Sequence, residues 1–186
     1  MPVHLGSMDR SVESIIRHNE GAISPGDVFV LNAPYNGGTH LPDITVVTPV
    51  FDEQGGNLLF YTASRGHHAD VGGMAPGSST PRATHIEEEG VLIDNFKLVA
   101  NGHFDEDGIR QLLTKHPWPA RNPDQNIADL RAQVAANEKG VAELLKMVEH
   151  FGLDIVQAYM LHVQDNAEES VRRLLDVLED SSAEYP

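Results

Sequence analysis

In the stretch THLPDITVV, His40 stands three residues before Asp43, on a loop that runs directly into a β-branched segment. Farther along, SRGHHADVGGMAPG sets His67 beside His68, with Asp70 two residues on and the pair Gly72 and Gly73 after it. Imidazole and carboxylate are the ligand set for zinc, manganese or iron, whereas magnesium and calcium favour all-oxygen sites. An H-x-x-D step at the mouth of a strand can direct both side chains to one side of a metal. The plainer reading makes Asp43 a turn residue and His40 a half-buried hydrogen-bonder. In HHADVGG, neighbouring side chains of an extended segment point to opposite faces, so His67 and His68 cannot both face one metal there. One of them would bind while the other contacts substrate or a carboxylate behind the ligands. The plainer reading here is a polar turn carrying two exposed histidines.

Whether the two half-sites meet depends on the elements between them. ITVVTPVF (44–51) and LLFYTAS (58–64) read as strands, joined by the hairpin-like connection DEQGGN. Antiparallel pairing would close the hairpin between Phe51 and Leu58 and leave Asp43 and Ser64 at its open end. His40 and Asp43 should therefore converge there with His67, His68 and Asp70. Upstream, DRSVESIIRHN (9–19) predicts a short helix with Asp9 at its N-cap and a stop near Gly21. The turn SPGD leads into a short buried strand, VFVLN, and then the loop APYNGGTHLPD. Downstream come an irregular loop over 74–90, a strand in VLIDNFKLV (91–99) and a modest helix over 105–116.

NPDQ (122–125) opens a long helix, with Asn122 as cap and Pro123 in the first turn. Ile127, Leu130, Val134, Val141, Leu144, Leu145 and Val148 keep helical spacing to about His150, and Gly152 is the stop. A last helix carries Leu153, Val156, Met160, Val163, Ala167, Val171, Leu174 and Leu178 on one face, and the two helices read as an antiparallel pair. The expected class is α+β: a mixed or antiparallel sheet with motif-bearing loops, then a C-terminal helical hairpin. Residues 1–120 form the part carrying the metal site, 121–180 the two-helix part and 181–186 a tail.

Composition narrows the function classes. The 186 residues suit one domain, or one with a helical extension, and a 40% apolar content can fill a core. A net charge of −15 opposes nonspecific nucleic-acid binding and docking on anionic membranes, so neither partner is expected. The absence of cysteine excludes disulfides and thiolate sites and fits a cytoplasmic location. No apolar run reaches the length of a membrane helix, and MPVHLGSMDRS has no signal-peptide pattern. Patterned sequence starts almost at Met1, as expected of a piece of a larger fold. Among the other histidines, His4 can reach the same pocket. His18, His103, His116 and His150 flank helix ends or turns, and His162 reads as surface. His85 precedes Glu87, Glu88 and Glu89, a possible base or simply a solvated charge run. No nucleotide-binding glycine pattern and no nucleophile elbow is present.

PVHLGSM, PGDVFVLNAPYNGGTHLPDITVVTPVF and RGHHADVGGMAPGS closely resemble the hydantoinase B/5-oxoprolinase family. That family includes N-methylhydantoinase B subunits, the C-terminal part of 5-oxoprolinases and the alpha subunits of acetone and acetophenone carboxylases. EEEGVLIDNFKLVANG and NPDQNIADLRAQVAANEKGVAELL stand in the expected order, so the resemblance covers nearly the whole chain. Members are much longer, and the chain resembles an N-terminal-to-central segment of them.

The resemblance implies ATP-dependent opening of a cyclic amide. A hydantoinase A-type partner subunit would bind ATP and phosphorylate the amide oxygen, and the B-type subunit would handle the activated lactam. An oligomer is implied. By similarity to the carboxylase relatives, the ligands of a divalent metal (zinc, manganese or iron) are His40, Asp43 and one of His67 or His68. Asp70 is then a further ligand or a supporting carboxylate, and His67, His68 and Asp70 are the catalytic candidates. The metal would polarise a substrate oxygen or acidify a bound water. His4, Asn32 and the backbone around Gly37, Gly38, Gly72 and Gly73 would contact substrate or developing negative charge. The implied function is hydrolysis of a phosphorylated lactam by metal-activated water. Two alternatives are a ketone carboxylase alpha-type subunit and a non-catalytic assembly module whose apolar helices bind a partner.

Overall fold

The β-branched run after Asp43 forms a nine-residue strand, and its pairing sets the frame of the molecule. The structure, a computed structural model, describes residue 4 and residues 6–78 and 80–182. Five strands, β1 (Val28–Leu31), β2 (Asp43–Phe51), β3 (Leu58–His67), β4 (Phe96–Ala100) and β5 (His103–Phe104), form one sheet. Their order is β3-β2-β1-β4-β5, and every neighbouring pair is antiparallel. Among the described residues, five α-helices accompany them: α1 (Met8–His18), α2 (Ile86–Glu89), α3 (Glu106–Thr114), α4 (Pro123–Phe151) and α5 (Leu153–Asp176). This is the expected α+β class. The chain divides into two compact units, Met1–Val141 and Ala142–Pro186.

β2 is buried along nearly its whole length, because both faces of the sheet are covered. On one face Val47 joins Phe29, Leu31 and Ile15 of α1 in a small cluster. On the other, Ile44 and Val46 join Val30 and Leu98 with Ile109 and Leu113 of α3 and Ile127 and Leu130 of α4. Each such side chain contributes about 1.5–3 kcal/mol when fully withdrawn from water. The start of α4 follows its signal: Asn122 Oδ1 accepts from the Gln125 N–H.

Several elements differ from the sequence reading, each for a local reason. Ser7, not Asp9, occupies the N-cap position of α1, and its hydroxyl makes no capping bond. Residues 91–95 are not a strand. There the side chain of Asn32 replaces a ladder partner, accepting from Ile93 N at 2.7 Å and donating to the carbonyls of Val91 and Leu41. Asn95 then turns through a positive φ of 51°, so β4 starts only at Phe96. The loop over 74–90 contains α2, where the Glu88 carboxylate accepts from the backbone of Thr84 and His85.

In the second unit, the end of α4 is followed by α5 across Gly152, which has φ 88°. Val156 is buried, but Val163, Val171, Leu174 and Leu178 are 57–66% exposed. The apolar face read for this helix is real as a pattern and largely solvent-facing.

Asp27, just before β1, and Asp43 are the buried carboxylates among the described residues of the first unit. Burial alone would raise the pKa of Asp27. The Lys97 ammonium at 2.8 Å and the N–H groups of Ser24 and Asn101 outweigh that and hold it below the usual carboxylate range. The stabilisation is thus complete above the unfolded-state value near 4 and is lost as pH falls through the lower folded value. Asp27→Asn should cost about 1–3 kcal/mol at neutral pH. In thermal melts the gap from the parent protein should shrink steadily between roughly pH 5 and pH 2.

Candidate metal centre

The register of β2 and β3 places Asp43 opposite His67 and Thr45 opposite Arg65. β3 runs three residues beyond the end expected from LLFYTAS, and this carries His67 into the ladder. Side chains of a strand alternate, so His67 and Arg65 share the α1 face with Asp43 and Thr45. His68 and Gly66 point to the α4 face.

Asp43 is the centre of the group. His67 Nδ1 lies 2.8 Å from Asp43 Oδ1, while His40 Nδ1 and His4 Nε2 each lie 3.3 Å from Oδ2. The carboxylate is almost fully buried, whereas the His40 and His67 side chains are 48% and 62% exposed. Their rings stack with centroids 5.7 Å apart. One ligand atom from each of His40, Asp43 and His67 falls within 4.8 Å of the others, as three ligands around one cation require. The other ring nitrogen of His4, Nδ1, is buried without a hydrogen-bond partner. A mixed imidazole and carboxylate set of this kind fits a transition-metal ion in its chemistry. His4, Met8, Asp43, Arg65 and His67 line a cavity of about 520 Å³ beside it.

His68 is placed elsewhere. It is 1% exposed, and its Nδ1 accepts from Asn126 Nδ2 while Nε2 donates to Gln133 Oε1, both at 3.1 Å. This is the neutral ring bridging two polar residues of α4. Burial pulls its pKa below the ordinary value, and the bond to Gln133 opposes this only in part. Asp70 also lies outside the group. Its oxygens accept from the Arg121 guanidinium and from the N–H groups of Arg121, Gly72 and Gly77.

The remaining candidates hold the loops together. Asn32 spends its whole amide on residues 41, 91 and 93. The N–H groups of Gly38, Gly72 and Gly73 already donate to Ala33, Asp70 and Trp118. At Gly72 and Gly73, with φ near 90°, a Cβ would sit 2.3–2.4 Å from the carbonyl oxygens of Trp118 and Glu89, so no side chain fits. Gly37 approaches the backbone of Arg10 as closely.

Arg65 was not among the sequence candidates. Its Nε donates to Thr45 Oγ1, and its two terminal nitrogens donate to Ser7 Oγ and Ser11 Oγ, at 2.6–2.8 Å. Its position two residues before His67, on the same face of a strand, was the available signal.

The family model described as hydantoinase B/oxoprolinase matches residues 1–185. The chain belongs to this family. It is 50% identical to 5-oxoprolinase 1 of Arabidopsis thaliana over 94% of its length, which is 14% of that protein. It is 34% identical to the caprolactamase subunit beta of Pseudomonas jessenii, covering 94% of this chain and 29% of that one. The crystal structure of the ATP-dependent caprolactamase from Pseudomonas jessenii superposes with a TM-score of 0.82 at 34% identity, over 97% of this chain and 30% of that one. A nucleotide-free acetone carboxylase shares the fold, with a TM-score of 0.71 at 22% identity over 82% of this chain and 20% of that one. The chain thus spans about one-seventh of the Arabidopsis relative. Among the described residues, no helix is long and apolar enough to cross a membrane.

The two adjacent histidines should behave differently on substitution. His67→Ala and Asp43→Asn are expected to weaken zinc or manganese binding at least tenfold, measured by calorimetry and by metal content after dialysis. His68→Ala should leave metal affinity within about twofold. It should instead lower stability by about 1–3 kcal/mol, because Asn126 and Gln133 lose their shared partner.

Proposed function

We propose that this chain is the metal-bearing segment of an ATP-dependent cyclic-amide hydrolase of the hydantoinase/5-oxoprolinase type. The carrying observation is the Asp43 carboxylate set among His4, His40 and His67 at the rim of a cavity, in a chain of this family. His40, Asp43 and His67 would hold a divalent ion of zinc, manganese or iron. When bound, such an ion supplies Lewis acidity for a substrate oxygen or a water.

The chain's own residues do the positioning. Asp43 sets one oxygen near His67 and the other near His40 and His4, which gathers the three rings at one place. His4 lines the cavity with its Nε2 3.3 Å from Asp43 Oδ2. Arg65 adds positive charge to the same wall. The substrate is a small cyclic amide, activated as a phosphorylated lactam. ATP would be bound by a hydantoinase A-type partner, in an assembly of more than one subunit.

The test uses the assembled enzyme, with its ATP-binding partner, and follows 5-oxoproline or caprolactam ring opening together with phosphate release. His40→Ala and Asp43→Ala should each lower ring opening roughly a hundredfold or more and deplete the metal. Unchanged turnover and metal content in both variants would sink the assignment.

A further inference from the structure

Arg65 is a cation with an unusual set of neighbours. Its three hydrogen bonds go to the neutral hydroxyls of Ser7, Ser11 and Thr45. Those hydroxyls are themselves held. Ser7 Oγ donates to the His4 carbonyl, and Ser11 Oγ donates to the Gly37 carbonyl. The fork is therefore fixed in place without being neutralised. The other described arginines that carry ion pairs meet carboxylates, as Arg110, Arg121 and Arg131 do. Among the described residues, no carboxylate lies within ion-pair distance of Arg65.

A guanidinium has five N–H donors, and each nitrogen of Arg65 uses one on a hydroxyl, so part of the fork stays available toward the cavity it lines. A half-buried, oriented and unpaired arginine is costly to fold unless something negative arrives later. The carboxylate whose charge it feels, Asp43, is already committed to three imidazoles. A divalent cation on that group would leave the cavity net positive.

We propose that Arg65 is the receptor for an oxyanion on the ligand of this cavity, namely the carboxylate of a carboxylated lactam such as 5-oxoproline. The planar fork matches a carboxylate or a phosphoryl group, which a neutral ring such as caprolactam lacks. Ligand identity rests on the cyclic-amide reading given above; the unpaired guanidinium does not. Arg65 thereby separates acidic lactams from neutral ones.

The experiment is isothermal titration of the folded protein with 5-oxoproline, inorganic phosphate and caprolactam, with metal content measured in parallel. Arg65→Gln should weaken an anion bound by the parent protein tenfold or more, with metal content and any caprolactam binding unchanged. Selective loss of 5-oxoproline assigns the carboxylate, and selective loss of phosphate assigns an activating phosphoryl group to the same fork. Arg65→Lys keeps the charge without the fork and should fall between. Should Arg65→Gln fail to fold by circular dichroism, Arg65→Lys and Ser7→Ala decide, each expected to weaken the anion several-fold. The proposal is overturned if the parent binds neither anion, if these variants leave anion affinity unchanged, or if caprolactam weakens equally. Metal retained in Asp43→Asn alongside anion loss in Arg65→Gln would remove the metal reading and leave this one standing.

Discussion

The pairing register of β2 with β3 is the constraint on which the candidate centre depends. Asp43 opposite His67 and Thr45 opposite Arg65 put a carboxylate, an imidazole and a guanidinium on one face of two adjacent strands. A slip of one residue would swap every side chain to the other face, replacing His67 and Arg65 by His68 and Gly66. The register is protected because β2 is buried on both sides. On the α1 face, Arg65 ties the strand pair to Ser7 and Ser11. On the α4 face, Gln133 donates to the Ile44 carbonyl and Asn137 to that of Val46, so the helix reads the strand backbone directly.

That second face has a polar character unusual for the inside of a domain. Asn126, Gln133 and Asn137 stand with Leu130 at helical spacing along the inward side of α4 and bond to His68, to strand carbonyls and to Thr48. A buried amide is costly when unpaired, but here each donor has a carbonyl, hydroxyl or imidazole to meet, so the burden is largely offset. Directional bonds of this kind fix where α4 sits along the sheet more sharply than aliphatic packing does. Gly66, whose absent Cβ would lie 3.1 Å from the Gln133 side chain, admits that contact. A metal centre gains from such a support, since ligand placement tolerates little drift.

Much of this was readable from residue order, and the exceptions share a cause. The hairpin and the meeting of His40 and Asp43 with the HHAD segment follow from alternation and a short connection. Which histidine turns inward did not, because it hangs on β3 continuing to His67 and on the register, both tertiary facts. Along α4 the apolar spacing marked Ile127 and Leu130 correctly, yet it gave no sign that Asn126, Gln133 and Asn137 also face inward, since an amide's burial depends on partners supplied by other elements. Asn32 ended the strand reading of 91–95 in the same way, by substituting a side chain for a ladder. The apolar face of α5 shows the opposite limit. Periodicity finds the face and says nothing about what covers it.

Charge distribution gives the cavity its chemical direction. With a net charge of −15, the chain as a whole repels small anions. That field is screened beyond about 8 Å at physiological ionic strength, so local groups decide what binds. Locally, among the described residues, the only full negative charge lining the cavity is Asp43, enclosed by imidazoles, and the Arg65 cation faces the same space with hydroxyl partners alone. Hydroxyls orient a guanidinium without cancelling its charge, whereas a carboxylate partner would do both. Choosing the first arrangement keeps the electrostatic attraction available for a ligand while avoiding the entropy of a mobile side chain. On the proposed reading, the same strand pair would hold a cation at the Asp43–His67 pair and, two residues along on the same face, an anion at Arg65.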